Sequence, residues 1–377
     1  MILARISGLS PRLGVIIQKR AIQDPFQPGC RIWRHAPTRG QHNGPPRSPQ
    51  RIQQTSRQKT TYQIEPEAVQ SITEENLANI QWPDVRVRYF RPAIWALVVS
   101  GGIFTGLAYL QAKQELKQKR SIWPEAPQWG IQRRGPPTLT QMWENVDPVS
   151  KVSYGIIAAN SAIHLSSFVL PKYWDLLWHI PARNVNYTLL SSAFVHSGPM
   201  HLFVNMYATY NFLLPVGYSR AFEGKPNHVL SFFLATGILS GFAQHWATLI
   251  TPQKRAIPEM FIRCGGASGA LLGILGVFCM EYPHAGLGII FLPFHFEAQY
   301  VLPAVMLFDF VGMVRGYSFV NFGHAVGVHD SLGSSYTNCI QAHLSGTVLG
   351  VAYSYFDGKN KIWNPLVQFW KRRLSQQ

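Results

Sequence analysis

Apolar residues fall in seven long runs along this chain, separated by polar stretches. The first extends from Pro92 to Leu110 without a charge, which matches the roughly 20 residues an α-helix needs to cross a bilayer. Six more follow at 152–170, 201–217, 228–251, 264–281, 285–312 and 342–356. Pro293, His295 and Glu297 interrupt the run at 285–312. Residues 285–298 are therefore predicted to dip into or lie along an interface, with 299–313 as the spanning part, since irregular backbone at depth needs protein or water against it. The runs are too long for strands and show no internal repeat, which argues against a transmembrane barrel. The pattern predicts an all-α membrane protein, a six-helix bundle preceded by one extra N-terminal transmembrane helix (1+6).

The polar stretches divide the rest. Residues 1–60 hold eleven Lys or Arg and a single acid, Asp24. Ser, Gln and Pro accompany them, and the start around Ile2–Gln18 is amphipathic rather than continuously apolar. This is the composition of an organelle-import presequence. Residues 61–91 read as a soluble segment able to form a short helix, 111–150 as a polar loop, 151–357 as the main membrane domain and 358–377 as a basic tail.

Composition adds a constraint on function. With 47% hydrophobic and 14% charged residues, the chain has a poor recipe for a soluble surface. Its net charge of +16 comes from segments outside the apolar runs, as in the flanks of membrane helices. A nucleic-acid partner would leave the apolar bulk unexplained. Cys30, Cys264, Cys279 and Cys339 form no CxxC pair or metal-ligand spacing, so ordinary thiols are expected and no metal or cofactor is implied.

Polar residues within apolar runs need a reason, because an unpaired polar group is expensive in hydrocarbon. Three clusters stand out: His196, His201 and Asn205; Gly265–Gly269 with Ser268 inside it; and Ala342–His343 with Gly346 and Gly350. GASGA alone marks helix packing more often than chemistry, but its company changes that. His343, Gly346 and Gly350 share one helical face, and Gly269, Gly273 and Gly276 form a matching strip beside Ser268. Two small-residue strips let backbones approach closely, as a serine-to-histidine hydrogen bond requires. Counting crossings puts the starts of the runs at 201, 264 and 342 on one side, so Ser268, His343, His201 and Asn205 share a depth. His201 and Asn205, four apart on one face, are candidates to stabilise an oxyanion or simply to satisfy each other or water.

Taken together, GASG at Gly266–Gly269, H-x-x-x-N at His201 and Asn205, and A-H-x-x-G-x-x-x-G from Ala342 to Gly350 resemble the rhomboid intramembrane serine proteases over roughly residues 150–356. The stretch Ser191–Tyr207 is similar to the family's first loop and second core helix. An extra first helix, the import-like start and IIFLP at Ile289–Pro293 resemble its mitochondrial, presenilins-associated branch.

The resemblance implies a rhomboid-like fold with a Ser268–His343 catalytic dyad and an oxyanion site at His201 and Asn205. Gly266, Gly269, Gly273, Gly346 and Gly350 would serve helix packing. It further implies the mitochondrial inner membrane as location, membrane lipid as surroundings and single-pass transmembrane proteins as substrates. The alternative is an inert rhomboid-like protein that binds transmembrane helices without cutting them, and a transporter using Asn160, His164, Gln244 and His245 ranks behind both. Two departures stand out. Gly316–Gln341 is long, polar and carries rival histidines His324 and His329, and Leu272 stands where many relatives place an aromatic. Asp309, alone among apolar residues, is expected to pair with a polar neighbour. No HExxH and no pair of intramembrane aspartates occurs, which argues against other intramembrane protease chemistries.

Overall fold

Prolines and capping side chains set where the helices begin. The structure, a computed structural model, describes residues 82–120, 138–250, 258–288, 295–315 and 340–376, all within the unit Glu67–Gln377. In chain order the helices are α1 (Phe90–Arg120), α2 (Leu139–Glu144), α3 (Pro148–Val169), α4 (Pro171–Asp175), α5 (Thr188–Ser191) and α6 (Pro199–Gly217). They continue with α7 (Pro226–Ala247), α8 (Ser268–Glu281), α9 (Ala298–Arg315), α10 (Ile340–Tyr355) and α11 (Asn364–Ser375). Proline occupies the first turn of α3, α4, α6, α7 and α11, where its missing N–H would have had no intrahelical acceptor. The Asp147 carboxylate caps α3 by accepting the Ser150 N–H at 2.6 Å. Thr138 and Gln141 cap α2 reciprocally.

Helix α8 packs against α10, α7, α6 and α9. It runs parallel to α10, with Gly269, Gly273 and Gly276 beside Ala342, Gly346 and Thr347. Helix α7 is antiparallel to both, placing Ser240 at Gly269 and Thr236 at Gly273. Apolar side chains such as Leu213, Phe232, Phe233, Ile274 and Val277 fill the centre. Helix α1 lies along α7. At one end Tyr89 Oη bonds Thr248 Oγ1 at 3.0 Å; at the other Asn227 Nδ2 donates to Gln111 and Gln114 at 3.1 and 3.0 Å. Leu97, Val98, Leu165, Phe203, Leu307 and Phe310 point outward and are exposed. Two helical segments, Phe90–Gln118 and Pro148–Val169, are long and apolar enough to cross a membrane, and Ser268–Glu281 and Ala298–Val314 are shorter apolar ones.

Several expectations change. Helix α1 continues to Arg120 rather than ending near 110, because Gln, Lys and Glu propagate a helix well and its polar turns find partners. Residues 286–288 and 295–297 form a two-stranded antiparallel ribbon, β1 (Gly286–Gly288) on β2 (His295–Glu297), a pairing that the polar interruption alone did not announce. The basic tail contains α11, whose apolar face has a partner in α1. Cys264 is disulfide-bonded and Cys279 is a buried free thiol. Spacing alone excludes clustered cysteines but not a bridge between distant ones, so four ordinary thiols was the wrong expectation. The presequence at 1–60, the IIFLP stretch, and residues 316–339 with His324 and His329 lie outside the described residues, as does 61–81 of the soluble segment. Asp309 is buried, and its Oδ2 has no hydrogen-bond partner among the described residues, so pairing is not found for that oxygen.

The connection between α6 and α7 is tied to the turn Lys359–Trp363, just before α11, through Glu223. Its carboxylate meets Lys225 and Lys359, each at 2.8 Å. Hydrogen bonds from Lys225 and then Lys359 hold its pKa down at about 2. A depressed carboxylate stabilises the fold fully above its unfolded value of about 4.3 and loses that contribution as pH falls through the folded value. Because Glu223 is partly exposed, the effect is screened to under about 1 kcal/mol. Glu223→Gln is therefore expected to lower the thermal midpoint slightly at pH 7, with the gap to wild type closing between about pH 4 and 2.

Candidate active site

The loop before α8 is shaped by its neighbours on both sides. Cys264 and His179 exchange backbone hydrogen bonds at 2.8 and 3.1 Å, and the Gly266 N–H donates to the Ser192 carbonyl at 2.9 Å. Gly266 has φ +128°, a region that L side chains rarely adopt. A Cβ there would also meet His201 Cε1 at 2.8 Å and Nε2 at 3.0 Å. The ring of His201 thus lies against the backbone leading into Ser268. The helix expected from 264 starts instead at Ser268, because Gly266 turns the chain out of helical geometry.

Ser268 is the first residue of α8. Its N–H therefore has no carbonyl partner within the helix and sits at the positive end of the helix dipole. Ser268 Oγ lies 2.7 Å from His343 Nε2 on α10. Close helix approach makes that distance attainable. A Cβ on Gly276 would meet the Thr347 carbonyl at 2.7 Å, while one on Gly346 or Gly350 would collide with the carbonyl of Gly269 or Gly273. Both glycine strips therefore lie in one seam. Ser268, His343 and His201 are half-buried, enclosed yet reachable.

The oxyanion candidates divide. His201 Nδ1 is 3.1 Å from Ser197 Oγ. If the Ser197 hydroxyl donates there, the His201 Nε2 carries the ring proton on the side facing the Gly266 loop. Asn205 is buried, and one N–H of its Nδ2 donates to the His201 carbonyl one turn back at 2.8 Å, which leaves the second N–H of the amide. Sequence reading passed over Ser197 and grouped His196 with His201 without giving it a role. Ser197 contacts the far nitrogen of His201, and fully buried His196 accepts the Ala267 N–H at 3.4 Å. The signal for both was their place just before α6 in a segment already rich in histidine. Leu272 is half-buried one turn beyond Ser268. The Thr347 hydroxyl donates to the His343 carbonyl at 3.0 Å, fixing backbone rather than ring. No group of residues able to hold a metal occurs among the described residues.

Such a pair can perform acyl transfer: a hydroxyl nucleophile, an imidazole in contact to take its proton, and donors at a helix N-terminus for an oxyanion. The Rhomboid domain model matches residues 183–360. The chain is 28% identical over 240 residues to Presenilin-associated rhomboid-like protein, mitochondrial, of Rattus norvegicus, covering 62% of this chain and 56% of that protein. The Homo sapiens protein of that name is equally similar, with 55% of its length covered. Rhomboid protein 1, mitochondrial, of Saccharomyces cerevisiae is 25% identical over 211 residues, covering 55% of this chain and 53% of its own length. The chain spans little more than half the length of these curated relatives. Residues 183–360 thus match the Rhomboid domain model, and it is within this stretch that Ser268 meets His343.

Proposed function

We propose that this chain is a serine endopeptidase that cleaves single-pass membrane proteins in or near their transmembrane helix, within the mitochondrial inner membrane. The observation that carries the reading is the 2.7 Å contact between Ser268 Oγ and His343 Nε2 at the N-terminus of an apolar helix. Its membrane setting is supported by the outward-facing apolar side chains, which lipid solvates and water does not. The mitochondrial names of the relatives and the basic, acid-poor first 60 residues support the location.

In this mechanism an unwound stretch of substrate presents a peptide carbonyl to Ser268. Oγ attacks the carbonyl carbon as His343 Nε2 takes the hydroxyl proton. The oxyanion forms against the Ser268 N–H and the His201 ring, in a site whose donors need no reorganisation. His343 then gives its proton to the leaving amine, which frees an acyl-enzyme. Water attacks that ester, losing a proton to His343, and the carboxylate product departs as Ser268 regains its hydrogen. His196 and Ser197 act at one remove, holding the loop and the ring.

An organofluorophosphonate, which bonds covalently only to an activated serine, tests the reading before any substrate is known. In lipid, the full chain should take up one equivalent on Ser268, and His343→Ala should take up almost none. Binding of transmembrane peptides with no labelling and no cleavage would instead mark an inert rhomboid-like protein.

A further inference from the structure

We propose that the outer face of α11 is a docking surface for anionic phospholipid. The proposal rests on the membrane reading above but uses a different part of the molecule. Helix α11, NPLVQFWKRRLS, contains no acid. Its inner face is occupied: Val367, Leu366, Trp370 and Leu374 pack with Trp363 against Ala108 and Ala112 of α1. Trp370 sets its ring edge-on to Tyr109 with centroids 5.3 Å apart. Lys371 turns to the same side and pairs with Glu115.

The two next cations do not. Arg372 and Arg373 have no carboxylate partner among the described residues, and Arg373 lies 5.8 Å over the ring of Phe369. With Asn364, Gln368 and half-exposed Phe369 they line an open groove of about 580 Å³. In the segment before α11, exposed Phe356 carries Lys361 over its ring at 5.9 Å. Exposed aromatic surface and two guanidinium groups without a carboxylate partner among the described residues therefore share the groove of α11.

Placement selects the occupant. The contacts of Trp363 and α11 run along α1 from Phe104 to Glu115, across the point where the uncharged stretch ending at Leu110 gives way to Lys113, Glu115 and Lys117. That is the depth at which lipid headgroups meet acyl chains. Tryptophan and tyrosine favour this boundary, and an amphipathic helix with a basic face binds an anionic surface there. A guanidinium presents paired N–H groups matched to phosphate oxygens, while Phe369 would rest against acyl chain.

The test uses the full chain in neutral detergent, with thermal midpoint read during titration by short-chain phosphatidylglycerol, phosphatidylcholine or inorganic phosphate. Phosphatidylglycerol should raise the midpoint, less so at high salt. Arg372→Gln/Arg373→Gln should need about 30-fold more of it, the size expected for two basic residues at an anionic surface. Lys113→Gln/Lys117→Gln should respond like wild type, and Arg372→Lys/Arg373→Lys should keep part of the response. If the glutamine variant alone fails to fold, the lysine variant decides by retaining or losing that partial response. An equal response to phosphatidylcholine, an equal response by the glutamine variant, or full reproduction by inorganic phosphate would overturn the proposal. Fluorophosphonate labelling of Ser268 in phosphatidylcholine alone reports separately on the protease reading.

Discussion

Ser268→Ala in the reconstituted full chain is expected to lower cleavage of a tagged single-pass substrate by at least about 10⁴-fold, with little change in substrate affinity. In the proposed mechanism the hydroxyl is the nucleophile, and its described hydrogen-bond partner is His343 at 2.7 Å. His343→Ala should lose a similar factor, and the double variant little more than either single one, because the two groups act as a unit. His201→Ala should lose less, about 10²–10³-fold, the usual effect of one oxyanion donor. Thermal midpoints near that of wild type would separate chemistry from folding. Full cleavage by Ser268→Ala would sink the assignment, whatever the histidine variants did.

Gly346→Val is the second large effect, and it acts through packing. A Cβ at that position would run into the Gly269 carbonyl, one residue beyond the nucleophile. Backbone cannot rotate away as a side chain can, so α10 must retreat from α8. Overpacking of this kind destabilises by about 1–3 kcal/mol, and shifting His343 by about 1 Å should slow catalysis about 100-fold. Val348→Leu, on an exposed part of the same helix, should change neither stability nor rate. A Gly346→Val protein with wild-type midpoint and turnover would show that the glycine seam does not set the Ser268–His343 distance.

The two strips of small residues were legible because helical periodicity is local: glycines three and four apart must share a face wherever the helix goes. The structure brings Gly269, Gly273 and Gly276 against Gly346 and Thr347 as that spacing implies. Leu110 was a poor guide to the end of α1, since hydropathy marks where a membrane would end and not where a helix does. The C-terminal helix was missed for the complementary reason. Its Leu366, Val367, Trp370 and Leu374 are too few to look like an apolar run, and they form a stripe only opposite α1.

At the site, residue types were readable and partners were not. Asn205 was readable as a polar residue on the His201 face, but not that one N–H of its amide bonds the His201 carbonyl. Side-chain hydrogen bonds depend on rotamers chosen by the surroundings. His196 and Ser197 were visible as polar residues, but their contacts to Ala267 and His201 cross from one segment to another.

By itself, then, the sequence determined the helical apolar runs, the serine between glycines and the histidine with its glycine face, since each follows from composition and a fixed 3.6-residue period. Tertiary structure decided which histidine reaches Ser268, how Gly266 turns the loop, and what covers α1, because each depends on distances between segments far apart in the chain.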